Sequence, residues 1–284
     1  MQNEPRIYRH SIIELAFALL LLALLGIGVL VWIIRNDNPF LIPFIIFSGI
    51  IFLSIFYSMT LKTIISEDEI SSQNFLGTKT LRWGEISRVS GSGTAIKLHN
   101  SDGDVTVAPS DQLPNYTEVV EYIGAKRLDL FNPQEQDKMT KNLEYGLILP
   151  LIALFTIGIG IVILLQMYAE AGILAFLPLL VLLVVGIVVF GISFSAPQSV
   201  TVDGKKLLIK YFSRQTTVLA DEVQSVELKY QQARNGKFYF VKLNLVGKKS
   251  VSLPGLKPSL PIVYLVLKNW HRKNTSIGLT TQQN

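Results

Sequence analysis

The side chains able to move protons, attack a carbonyl or ligate a metal are few here and poorly spaced. His10, His99 and His271 lie far apart, and none has a neighbour at metal-ligand spacing. Each reads as a satisfied surface histidine. Ser90-Gly91-Ser92-Gly93 has the glycines of a phosphate loop, yet neither G-x-G-x-x-G nor G-K-[ST] accompanies it. No strand-to-helix turn presents its serines and no base lies near in sequence, so it reads as a flexible hairpin loop. With no cysteine in the chain, disulfides and thiolate metal sites are both ruled out. These residues define no catalytic site, no metal site and no cofactor site, and the chain is expected not to be an enzyme.

The remaining chemistry is cationic. Residues 197–284 hold 14 Lys and Arg against 4 Asp and Glu, a net +10, whereas residues 61–142 hold 9 against 12, a net −3. The bases gather in turn regions and near the C-terminus. Lys205, Lys206, Arg214, Lys248 and Lys249 are the candidate site for an anionic lipid headgroup or an acidic partner. Diffuse attraction to an anionic surface, worth about 1 kcal/mol per base close to it, is the plainer reading of the same residues. No recognised nucleic-acid motif accompanies the charge, so nucleic acid is not an expected partner.

The elements that position these residues begin with four hydrophobic runs. Residues 12–34 hold one acid, Glu14, near their start; 41–60, 147–166 and 173–195 hold no charge. Each run is close to the roughly 20 residues that cross about 30 Å of hydrocarbon as a helix. The first is too long for the core of a cleaved signal peptide and lacks a small-residue cleavage site. Glu14 sits about one turn inside, at interfacial depth. Arg6, Arg9, Lys62, Lys138, Lys141, Lys205 and Lys206 flank the runs on one side, which predicts an integral, multi-pass protein of the cell membrane with both termini and both polar segments cytoplasmic. Pro43, Pro150 and Pro178 within the runs keep open an alternative, a small four-helix transporter or channel component with regulatory cytoplasmic domains.

The polar segments repeat. At a constant offset of 137, Ile65 falls on Val202, Ile70 on Leu207, Phe75 on Phe212, Leu81 on Val218, Glu85 on Glu222 and Val89 on Val226. Alternation marks strands with one wet face: Ile96 and Leu98 against Lys97 and His99, and Val241, Leu243 and Leu245 against Lys242 and Asn244. Turn signals, Asp102-Gly103, Asp203-Gly204 and Asn235-Gly236 among them, divide each copy into about six short strands. Each copy closes with an amphipathic helix. Tyr116, Val119, Val120 and Ile123 share one apolar face, as do Leu260, Val263, Tyr264 and Leu267.

With its hairpins, the segment Trp83-Gly84-Glu85-Ile86-Ser87-Arg88-Val89, the counterpart Ala220-Asp221-Glu222-Val223-Gln224-Ser225-Val226 and the closing helix, each copy resembles the bacterial pleckstrin-homology-like domains found beside paired membrane spans. The resemblance implies two bent antiparallel sheets of seven strands in all, closed at one end by the helix. It also implies that Lys205 and Lys206, with Lys210 and Arg214 beyond, occupy the region where eukaryotic relatives hold phosphoinositides. The expected fold class is therefore a membrane α+β protein: four transmembrane helices in two hairpins, each followed by a small pleckstrin-homology-like β domain. The boundaries are 1–60 for the N-terminal segment and first hairpin, 61–142 for the first β domain and linker, 143–196 for the second hairpin, 197–273 for the second β domain and 274–284 for a flexible tail. The expected function is that of a noncatalytic scaffold whose β domains bind membrane lipids, a protein partner or another copy of the chain.

Overall fold

The computed structural model describes residues 4–9, 61–142, 196–233 and 236–280, together with scattered positions between 20 and 60 and between 151 and 195. The four hydrophobic runs fall largely outside the described residues; the positions described within them are helical and expose apolar side chains such as Ile27, Ile50 and Phe155. The expectation of four membrane-crossing helices, and with it the integral multi-pass placement, is corrected. Among the described residues no helix is long and apolar enough to cross a membrane, and the architecture is mostly β, in four antiparallel sheets. The longest described helix, Leu260–Thr280, is not one of the four runs; it carries Lys268, Arg272 and Lys273 and has buried apolar side chains from Leu260 to Trp270.

The chain divides into two compact units, Met1–Ser90 with Ala95–Lys126, and Gly91–Thr94 with Arg127–Asn284. In the first, strands β1 (Arg6–Arg9), β2 (Lys62–Ile65), β3 (Glu69–Asn74) and β4 (Gly77–Arg82) form a four-stranded sheet in that order. A short 3-10 helix, Trp83–Glu85, turns the chain into a three-stranded sheet of β5 (Ile86–Ser90), β6 (Lys97–Asn100) and β7 (Thr106–Val107). Helix α1 (Tyr116–Lys126) follows and buries Tyr116, Val119, Val120 and Ile123, the apolar face that its 3.6-residue period marks out. These pack in one core with Ile65, Ile70, Leu81, Trp83, Leu98 and Val107.

The second unit repeats the plan. β8 (Lys138–Thr140), β9 (Ser199–Asp203), β10 (Lys206–Lys210) and β11 (Gln215–Leu219) form one sheet, and β12 (Val223–Ala233), β13 (Gly236–Leu245) and β14 (Val251–Leu253) the other. A 3-10 helix, Ala220–Glu222, joins them, and helix α2 (Leu260–Thr280) ends the unit. The offset of 137 reappears as strand register. Ile70 pairs with Leu81 as Leu207 pairs with Val218, and Ile65 with Ile70 as Val202 with Leu207. Even the irregularity repeats: register slips between Ile86 and Arg88 and, 137 residues on, between Val223 and Ser225. A bulge bends its strand, which suits a corner where the chain passes from one sheet to the next.

Among the described residues each copy has seven strands and not about six. The additional one lies upstream of the hydrophobic runs: β1 pairs with β2 across 52 intervening residues, and β8 with β9 across 58. Three- and four-residue strands give little periodicity, but their logic matches. Tyr8 and Met139 are the single buried side chains of β1 and β8, and they pair with Thr63 and with Val200, positions again 137 apart. Arg6 adds an ion pair to Glu118 at 2.6 Å, fastening the edge strand to α1.

Two differences separate the copies. β12 and β13 have 11 and 10 residues where β5 and β6 have 5 and 4, so the second unit carries an extended hairpin. Gly236 pairs with Ala233 as a strand residue, and Asn235 of the predicted Asn235-Gly236 turn lies outside the described residues. Helix α2 is buried on nearly every side from Leu260 to Trp270, Lys268 excepted, and segment 127–137 touches it at Asn269. Phe131 of that segment is fully buried and its carbonyl accepts the Asn269 side-chain N–H at 2.8 Å. A helix apolar all round needs cover all round.

Candidate functional site

Four of the five predicted cations lie at one end of the second unit. Lys205 stands in the two-residue turn between β9 and β10, opened by Gly204 at φ 54°, a conformation that favours glycine. Lys206 is the first residue of β10 and pairs with Asp203 on one side and Leu219 on the other. The Lys205 carbonyl accepts the N–H of Ala220, so the turn is tied to the 3-10 helix at 3.0 Å. Lys248 and Lys249 lie in the β13–β14 connection, which is tied to the same helix twice: Val246 N–H donates to the Glu222 carbonyl at 2.9 Å, and the Lys248 ammonium meets Glu222 Oε1 at 2.5 Å. Arg272 and Lys273 follow directly after Trp270 and His271. Trp270 Nε1 donates to the Gly204 carbonyl at 2.8 Å, and His271 Nε2 to that of Val223 at 2.7 Å.

Glu222 organises this end. Its Oε2 accepts the Leu219 N–H at 3.1 Å while its other oxygen holds Lys248, and these contacts keep its carboxyl below the usual glutamate range, the Lys248 hydrogen bond contributing most. Glu85, its counterpart in the first unit, accepts the Arg82 N–H at 3.2 Å in the same way. One glutamate per copy thus closes the corner, and in the second copy it also positions a cation.

Arg214 does not join the cluster. It lies in the β10–β11 connection, at the far end of β10 from Lys206, about 13 Å away for four strand steps. There its guanidinium lies 4.8 Å from the centre of the Tyr211 ring, and the exposed Phe212 stands beside it. Lys141 is half-buried, and burial lowers its pKa.

Sequence reasoning also missed a polar chain in the first unit. Ser90, His99 and Thr106 come from three adjacent strands and meet on one sheet face: Ser90 Oγ is 2.7 Å from His99 Nε2, and Thr106 Oγ1 is 3.1 Å from Nδ1. Burial, then Arg88 and Lys97, depress the histidine pKa, so the ring is neutral at pH 7. Alternation put His99 on the wet face of β6, but only the pairing of β5 with β6 brings a residue nine positions away into contact. The third member is a hydroxyl and not a carboxylate, and the chain lies along an open sheet face. It is a hydrogen-bonded ladder.

No family model matches this chain, and no curated protein matches it.

Proposed function

We propose that this chain is a noncatalytic scaffold built on two pleckstrin-homology-like units, of which the second docks on an anionic lipid surface through Lys205, Lys206, Lys248 and Lys249, with Arg272 and Lys273 beside them. The observation that carries the reading is the gathering of these exposed bases onto one end of the second unit, whose residues 197–284 carry a net charge of +10. Their acidic neighbours are Asp203, Asp221 and Glu222, of which Glu222 is already paired. The bases are exposed and spread over two turns, the start of β10 and the helix, which suits a surface of many phosphates.

The test is binding of the full chain to vesicles of graded anionic content at two salt concentrations. Binding that rises with anionic lipid and weakens with salt supports the reading. Replacing Lys205 and Lys206 together by Ala weakens binding by about tenfold or more, at about 1 kcal/mol per base. Arg214→Ala, at the other end of the sheet, has a smaller effect. Binding indifferent to anionic content overturns the reading. A second reading is supported by charge complementarity: residues 61–142 of one copy, at −3, pair with the +10 segment of another. It requires self-association that dissolves at high salt.

A further inference from the structure

The first unit holds a cleft of about 660 Å³ between the tip of the β3–β4 hairpin and the outer face of β6 and β7. That volume is in the range of small-molecule sites. Although residues 61–142 are net acidic, the cleft is not. Lys79 lines it from β4 and Lys97 from β6, the hydroxyls of Ser72, Thr78, Thr106 and Ser110 also line it, and Asp111 is the one acid in the lining. Leu76 and Pro109 supply an apolar part of the wall. Thr106 links this cleft to the polar chain on the same sheet face, because its hydroxyl also contacts His99. Arg88, which pairs with His99 across β5 and β6, adds a third cation beyond the histidine.

We propose that this cleft binds a small phosphate monoester, with the phosphate held by Lys79, Lys97 and Thr106 and the organic portion lying against Leu76 and Pro109. A dianion matches two ammonium groups, and its oxygens accept from the hydroxyls that line the wall. The volume exceeds what a bare phosphate fills, which selects an ester over the free ion. The site is separate from the basic cluster of the second unit, so either assignment stands if the other fails.

His99 is the reporter. It sits one hydrogen bond from the proposed phosphate contact, and its low pKa registers the cations around it. The experiment follows the imidazole resonance of His99 against pH in the full chain, assigned with His99→Gln, in the presence of glycerol 3-phosphate, inorganic phosphate or chloride at equal ionic strength. With glycerol 3-phosphate the pKa of His99 rises by about half a unit or more, as for a charge of opposite sign brought near. Inorganic phosphate needs a higher concentration for the same shift. Lys97→Gln and Lys79→Gln each raise the half-saturating concentration by about tenfold, the cost of a charge-assisted hydrogen bond. Lys97→Gln also raises the ligand-free pKa of His99, and unchanged amide resonances of β5, β6 and β7 show that the variant retains its sheet, since unfolding alone would also raise that pKa. Lys205→Gln, in the other unit, changes nothing. The proposal is overturned if chloride produces the same shift, if inorganic phosphate binds as tightly as the ester, or if Lys205→Gln weakens the response as much as Lys97→Gln.

Discussion

At the scale of single residues, two polar groups carry consequences out of proportion to their size. Asn269 is buried in α2 and donates to the carbonyl of Phe131. Asn269→Ala leaves that carbonyl without its partner and lowers stability by about 1–3 kcal/mol, measurable as a fall in the denaturant midpoint. His99 behaves differently because its effect depends on pH. Its folded pKa lies below its ordinary value of 6.5, so the unfolded chain takes up the proton first as pH falls. The contribution is fully present above pH 6.5 and is lost as pH drops through the folded pKa. Thermal unfolding followed from pH 7 to pH 5 shows this loss, and His99→Gln flattens that part of the profile. Neither role was legible in the sequence. A histidine in an alternating strand declares its face, not its neighbours, and Asn269 owes its partner to a segment more than a hundred residues upstream.

At the scale of elements, legibility followed length. The faces of α1 and the first half of α2, the hairpin pairs and the repeat offset were all written in periodicity, since each repeats an apolar choice several times. β1 and β8 make that choice once each, at Tyr8 and Met139. Nothing in so short a stretch separates a strand from a linker, so the strand count fell short by one in each copy. Their role is tested directly. Met139, 1% exposed, lies under β9 through its pairing with Val200. Met139→Ala costs about 2–5 kcal/mol of stability. Hydrogen exchange at β9 amides, Thr201 above all, speeds up in parallel, and an unchanged rate there would mean that β8 is dispensable to the sheet. The hydrophobic runs teach the opposite lesson. Their length and lack of charge were the loudest signal in the sequence, but they lie largely outside the described residues, among which no helix is long and apolar enough to cross a membrane.

At the scale of the whole molecule, duplication has produced two units of one plan and opposite charge. Because each has its own core, the effect of Met139→Ala stays within the second, and exchange at Leu98 and Val107 of the first is unaltered. The charge contrast was fully legible, being a matter of composition. Which bases gather was legible only in part: Lys205 and Lys206 are adjacent in sequence, but their meeting with Lys248 depends on the 3-10 corner and Glu222, whereas Arg214 is carried off by the direction of one strand.

Trp83 and Trp270, two of the three tryptophans, show how far the copies differ. Trp83 stands in the 3-10 corner of the first unit and donates to the carbonyl of Ser66 in the β2–β3 turn. Its counterpart in the second corner is the buried Ala220, and there Trp270 arrives from the helix to serve the matching turn at Gly204. Each copy keeps one indole at the corner but draws it from a different element. Ala220→Trp in the present background crowds the indole already in place and costs about 1–3 kcal/mol. Combined with Trp270→Ala it is expected to be less harmful than the sum of the two changes. That epistasis is the trace left by a shared ancestor, and it makes the closing helices of the two units non-interchangeable despite their common fold.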